Sequence, residues 1–300
     1  MPDSKRYLRP EVTQRIRRLE LTARRVVEGF LSGMHRSPYF GQSVEFLQHR
    51  QYVAGDEIRH IDWKVYGRQD KLHIKQYEEE TNLRLHLLID RSGSMAYGDG
   101  ESNKFDYSAS LAASIAYLAI RQQDATGLFT FDSKVRDVLP AKSNRFQLNR
   151  ILQSLLSVGA DGRTDLPVVA REVAQAIPRR GLVCIVSDLL GIDNLVEGLR
   201  VLRSRNHDVA LFHVLHDDEL DFNFSGATRF EGLESVDFLN CNPRALREGY
   251  LEAMNQFLDD TRKACGRLSI DYMLVRTSEP LDAVLAKFLA ARSSLPKIRG

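Results

Sequence analysis

Two aspartates close apolar runs of strand length in this 300-residue chain, and small hydroxyl residues stand near both. In "LLIDRSGSM" Asp90 ends the run, and Ser92 and Ser94 follow at alternate positions. In "LVCIVSDLL" Asp188 ends a second run, and between the two "GADGRTDLP" puts Thr164 in a loop ahead of a helical pattern. If the apolar runs are strands, these residues all lie in loops where their oxygens can converge. Three hydroxyls and two carboxylates, with no histidine or cysteine, make a hard-oxygen donor set. Such a set suits Mg2+, with Mn2+ or Ca2+ as substitutes, and does not suit zinc. With the hydroxyls as direct ligands and Asp90 and Asp188 acting mainly through water, the ion keeps strong Lewis acidity. It then takes an anionic ligand from outside, such as a carboxylate on another protein.

Taken singly, each residue has a plainer reading. Asp and Ser are ordinary turn and helix-cap residues, and Asp165 reads as an acid in the first turn of a helix. The joint placement of Asp90, Ser92, Ser94, Thr164 and Asp188 is what points to a metal. Catalysis is not expected. A phosphatase with a strand-end nucleophile carries a second acid two residues on, where this chain has Ser92. The serines lack a G-x-S-x-G elbow, and the chain has no G-x-x-x-x-G-K phosphate loop. The alternative is a divalent-metal hydrolase using the same oxygens. His213 and His216, three apart on a strand, point to opposite faces and read as structural. His86, between Leu85 and Leu87, reads as a satisfied core histidine.

Those loops need strands and helices to hold them, and the apolar periodicity supplies both. Leu83 to Ile89 is a strand and Lys104 to Arg121 an Ala-rich helix. Gly127 to Phe131 and Lys134 to Leu139 are spaced for an antiparallel edge hairpin. Helices follow at Arg145 to Ser157 and Leu166 to Ile177, then strand Leu182 to Ser187, helix Asn194 to Arg205 and strand Val209 to Leu215. The polar, aromatic-dotted stretch "DDELDFNFSGATRFEGLES" interrupts the rhythm and is either a second contact element or a solvated loop. A helix from Pro243 to Ala264, a strand from Ser269 to Val275 and a helix from Leu281 to Ala291 complete the pattern. Alternating β and α elements, with strands apolar on both faces, predict an α/β fold with a mostly parallel sheet covered by helices on each side. Ligands of such open sheets sit beyond the carboxyl ends of the central strands, where Asp90 and Asp188 fall.

Ahead of this pattern, Val12, Ile16, Leu19, Ala23, Val26 and Phe30 form one stripe of a helix whose other faces carry arginines. Ser32 to Glu80 reads as an irregular β-rich unit, punctuated by Gly33, Pro38, Gly41, Gly55 and Gly67, with Trp63 as an anchoring core residue. The expected organisation is a helix plus β-rich unit over 1–80 and an α/β domain over 81–300, with an insertion at about 217–242.

Asp90-x-Ser92-x-Ser94, Thr164 in "GRTDL" and Asp188 in "SDL" resemble the metal-ion-dependent adhesion site of von Willebrand factor A domains. The strand and helix order from Leu83 onward resembles that fold. The segment "EFLQHRQYVAGDEIRHIDWKVYGRQDKLHIKQYEEE" is similar to the signature of a bacterial family, domain of unknown function 58. Together the matches span about Gly33 to Arg292. The resemblance implies a von Willebrand A-like, doubly wound domain with a small β-rich N-terminal unit, and Mg2+ held by those five residues. It also implies a metal-dependent adaptor or chaperone that works with a MoxR-type AAA+ ATPase and a client protein. Some relatives carry membrane anchors. In the signature, Glu45, Arg50, Asp56, Arg59, Asp62 and Arg68 alternate in charge. They read as an internal ion-pair network or, with Arg50 and Arg59 as candidates, as a partner surface.

Composition narrows the classes further. The formal net charge is +2, and the arginines of the first fifty residues lack interleaved aromatics, so nucleic acid is not an expected partner. Three cysteines, Cys184, Cys241 and Cys265, include no C-x-x-C pair and fit a reducing compartment. The longest apolar stretch, Leu111 to Ile120, is far short of the roughly 20 residues of a membrane span. "MPDSKRYLRPE" has no signal-peptide apolar region. A cytoplasmic protein without a membrane span is therefore expected.

Overall fold

The computed structural model describes residues 10–33, 46–51, 63–69, 72–77, 83–100, 103–144, 146–157, 162, 164–190, 194–226, 228–234 and 238–293. They fall into two compact units, Pro38–Asn82 and the remainder of the chain. Helix α1 (Pro10–Gly33) belongs to the larger unit, not to the β-rich segment with which the sequence grouped it.

In the smaller unit, β1 (Phe46–Gln51) pairs antiparallel with β2 (His73–Tyr77), with Arg50 opposite Ile74. A short helix, α2 (Trp63–Gln69), lies between them in sequence, where only irregular β structure was expected. Trp63 is not the core anchor predicted for it. It is 61% exposed and meets Tyr66 edge to face, with ring centroids 6.1 Å apart. Residues three apart on a helix share a face, so the ring finds its partner locally. Of the charged alternation, Glu45, Asp56, Arg59 and Asp62 lie outside the described residues, as do the side chains of Arg50 and Arg68.

The larger unit is built on a six-stranded sheet. Its strands are β3 (Arg84–Asp90), β4 (Ala125–Phe131), β5 (Val135–Lys142), β6 (Leu182–Ser187), β7 (Asp208–Leu215) and, after the insertion, β10 (Asp271–Arg276). The spatial order is β10-β7-β6-β3-β4-β5, and only the β5 edge runs antiparallel. This is the expected α/β, von Willebrand A-like doubly wound arrangement, with its winding direction reversing between β3 and β6. β3, β4, β6 and β7 are buried almost throughout, as a sheet covered on both faces requires. The edge strand β5 alternates half-buried and exposed.

Helices α5 (Leu166–Ala176), α6 (Leu195–Ser204) and α8 (Pro243–Arg267) share one core with Leu88, Val183, Ile185 and Leu211. Helices α4 (Phe146–Ser157) and α9 (Leu281–Ser293) each pack on α3 (Lys104–Arg121), and α1 lies on all three. Leu19, Ala23 and Val27 of α1 are buried there, whereas Val26 of the expected stripe is only half-buried. That burial is why the helix belongs to this unit.

The insertion is structured. It forms a short helix α7 (Asp217–Asp221) and a hairpin of β8 (Thr228–Glu231) with β9 (Phe238–Cys241). Phe222 stacks on Phe230 and Tyr250, at 5.8 and 4.3 Å between centroids, which ties both pieces to α8. It is not a solvated loop.

Candidate metal centre

β3 and β6 are parallel neighbours, with Ile89 opposite Val186, so the chain leaves both at the same edge of the sheet. Asp90 ends one strand and Asp188 follows the other, and both are fully buried. After Asp90 the chain turns through a single 3-10 turn, Gly93–Ala96, that holds Ser94. Ser92 N donates to Asp90 Oδ1 at 2.9 Å, the bond with which an aspartate locks a turn over itself. Ser92 Oγ and Ser94 Oγ then stand 3.0 Å apart.

Thr164 arrives from the loop before α5. Asp165 caps that helix by accepting from Val168 N, and Gly93 N donates to Gly162 O at 2.8 Å, which ties this loop to the serine loop. The Thr164 hydroxyl donates to Asp90 Oδ1 at 3.1 Å. The Ser187 hydroxyl, from the end of β6, donates to Asp90 Oδ2. Thus Ser92, Thr164 and Ser187 all converge on Asp90, and Ser94 joins them through Ser92.

Asp188 is held differently. Its Oδ2 accepts from Lys104 Nζ at 2.7 Å and its Oδ1 from Leu190 N at 3.1 Å. Lys104 has no exposed surface and also donates to Glu219 Oε1 at 2.6 Å. Burial opposes the ammonium charge, but Asp188 and Glu219 outweigh it and hold the Lys104 pKa above its ordinary value. His213 fixes the backbone beneath. Its Nε2 bonds the Asp188 carbonyl at 2.8 Å and its Nδ1 pairs with the Tyr272 hydroxyl at 2.9 Å. That pattern places the proton on Nε2, and burial lowers the ring's pKa to about 4. His216 instead caps α7, where Glu219 completes a capping box.

Asp90 is thus surrounded by hydrogen-bond donors but has no ion pair among the described residues. Burial first, and the charge of Asp188 second, push its pKa up to about 7, against the pull of Ser187 and Ser92. A buried carboxylate without a positive partner, ringed by three hydroxyls, fits a hard divalent cation. No group of three or more His, Cys, Asp or Glu able to hold a metal occurs among the described residues, so such a centre rests on Ser92, Ser94 and Thr164. Both Asp188 oxygens already have donors, which suits a supporting role through water.

Four participants escape a reading of the sequence. Ser187 adjoins Asp188, and its strand-end position is a legible if weak signal. Lys104 opens a helix, where a lysine ordinarily reads as solvated. Glu219 and Glu234 lie in the insertion, and Glu234 Oε1 accepts from Ser94 N at 3.3 Å.

Residues 48–257 match the family model described as "Protein of unknown function DUF58". An uncharacterized protein of Mycobacterium tuberculosis, Rv1480, is 27% identical over 288 residues, which cover 94% of this chain and 90% of that protein. Among solved structures, an aerotolerance-related membrane protein from Bacteroides fragilis aligns with a TM-score of 0.48 at 14% identity, over 70% of this chain and 98% of its own. The SpRpn10 VWA domain aligns with a TM-score of 0.38 at 13% identity, over 68% of this chain and 94% of its own. The Bacteroides protein is described as a membrane protein, and the cytoplasmic location expected above is not carried forward. Among the described residues, no helix is long and apolar enough to cross a membrane.

Proposed function

The chain belongs to the DUF58 family of proteins of unknown function, and from that premise we propose that it is a metal-dependent protein-binding adaptor. Ser92, Ser94 and Thr164 hold a Mg2+ ion, which Mn2+ or Ca2+ can replace, and Asp90 and Asp188 support it. When bound, the ion supplies the positive charge and Lewis acidity that attract a carboxylate of a partner protein. The chain's residues prepare the place. Ser92, Thr164 and Ser187 orient Asp90, and Lys104 and His213 orient Asp188. The partner is a MoxR-type AAA+ ATPase, and the complex acts on a client protein as a chaperone-like factor.

One observation carries this reading: hydroxyls from two loops gather at the reversal point of the sheet around a buried carboxylate with no positive partner among the described residues. Calorimetric titration of Mg2+ tests it. Wild type is expected to bind the ion and Asp90→Ala to lose it while keeping its circular dichroism spectrum. Capture of a purified MoxR-type ATPase should then require Mg2+, and capture that survives a chelator counts against the proposal. Phosphoester turnover by the pure protein, lost in Asp188→Ala, would favour a hydrolase using the same oxygens.

A further inference from the structure

The turn after β8 lies directly on the serine loop. A Cβ added to Gly93 would stand 2.4 Å from the Leu233 carbonyl oxygen and 3.3 Å from Glu234 Cγ, so only glycine admits this approach. Glu234 Oε1 accepts from Ser94 N at 3.3 Å, across 140 positions of sequence. The hydroxyl of the same serine is 3.0 Å from that of Ser92. A carboxylate from the chain itself therefore reaches the backbone of Ser94, whose hydroxyl and that of Ser92 are two of the three assigned to the cation. It is delivered by a packed element, because Phe230 of β8 stacks on Phe222 and meets Phe224 edge to face.

We propose that Glu234 is an internal carboxylate ligand of the centre, taking the place that an acidic residue of a partner takes, so that a partner binds by displacing the Leu233–Glu234 turn. This inference rests on the reading of Ser92, Ser94 and Thr164 as cation ligands. A tethered carboxylate competes at high effective concentration. A ligand that needs the open state binds more weakly by the fraction of molecules that are open. Glu234 thus sets a threshold that a lone carboxylate does not cross and an extended partner surface does. Gly93 is part of the device, because any side chain there drives off the Leu233 carbonyl.

The test uses the full chain and two probes, Mg2+ alone and, at saturating Mg2+, a short uncharged-end peptide with one central aspartate. The same peptide with asparagine is the control. Glu234→Gln is expected to weaken Mg2+ binding several-fold. It should also tighten the aspartate peptide about tenfold, the factor returned if about nine-tenths of the molecules are closed. Gly93→Ala, which removes the turn without touching a carboxylate, should tighten the peptide in the same direction. Wild type that binds Mg2+, with both probes unchanged in Glu234→Gln, overturns this inference and leaves the metal centre standing. Wild type that binds no Mg2+ removes the centre and this inference together.

Discussion

Asp90 ends one strand, Asp188 directly follows its parallel neighbour, and both are equally buried, yet the fold treats them oppositely. Asp188 receives an ammonium group, Lys104, and a backbone donor. Asp90 receives only hydrogen-bond donors among the described residues, and burial with the neighbouring charge raises its pKa to about 7. One half of the centre is therefore neutralised permanently by the chain. The other keeps an unmet demand for positive charge that an exchangeable cation can fill. A site with both carboxylates paired to lysines would need no metal, and one with neither paired would be harder to fold without it.

The largest effect should come from the fixed half. Lys104→Met leaves buried Asp188 and half-buried Glu219 without their cation and should cost about 3–5 kcal/mol in urea denaturation with chelator present. A loss under about 1 kcal/mol would show that Lys104 is not what neutralises the fixed half. The exchangeable half should respond in the other way. Mg2+ at a hundred times its Kd should stabilise wild type by about 2.7 kcal/mol. Asp90→Asn should show none of that gain and lose no more than about 1 kcal/mol in chelator. A metal response preserved in Asp90→Asn would contradict the division drawn here.

The opposite part of β3 offers a control. His86 is buried, its ring nitrogens have no hydrogen-bond partner among the described residues, and burial, with His207 and Arg84, lowers its pKa from 6.5 to about 4. The neutral form is the folded one, so its stability contribution is complete above pH 6.5 and is lost as pH falls from 6.5 to 4. Between pH 7.5 and 5 this group should withdraw about 2 kcal/mol. His86→Leu should flatten that slope with Mg2+ binding unaltered, and an unchanged slope would assign the acid sensitivity elsewhere. The smallest effect concerns the tie between the serine loop and the insertion. The Tyr97 hydroxyl donates to Asp218 Oδ2 at 3.1 Å, and Tyr97→Phe should cost about 1 kcal/mol in thermal or urea unfolding, independent of metal.

Much of the fold was legible. Lys104–Arg121 and Leu182–Ser187 begin and end where periodicity and punctuation put them, because long helices and fully apolar strands announce themselves locally. Helix α2 was not legible. "WKVYGRQ" is seven residues with an interior glycine, too short for a helical period to show. The five residues Asp90, Ser92, Ser94, Thr164 and Asp188 are brought to one edge of the sheet, as the strand-end positions of the two acids and the loop positions of the hydroxyls suggested. His86 was read as a satisfied histidine, and its ring nitrogens instead lack hydrogen-bond partners among the described residues, because alternation along a strand reveals burial but not the chemistry of the neighbours.

Sequence alone determined the order of elements, the presence of paired carboxylates and small hydroxyls, and their placement at strand ends and in the loops beyond. Those properties follow from periods of two and 3.6 residues and from turn chemistry, all of which act over a few neighbouring positions. Tertiary structure decided which carboxylate is neutralised and what stands over the serines. Lys104 reaches acids 84 and 115 positions away, and Glu234 reaches Ser94 across 140. Charge compensation acts through space, and only folding brings those distant charges within bonding distance.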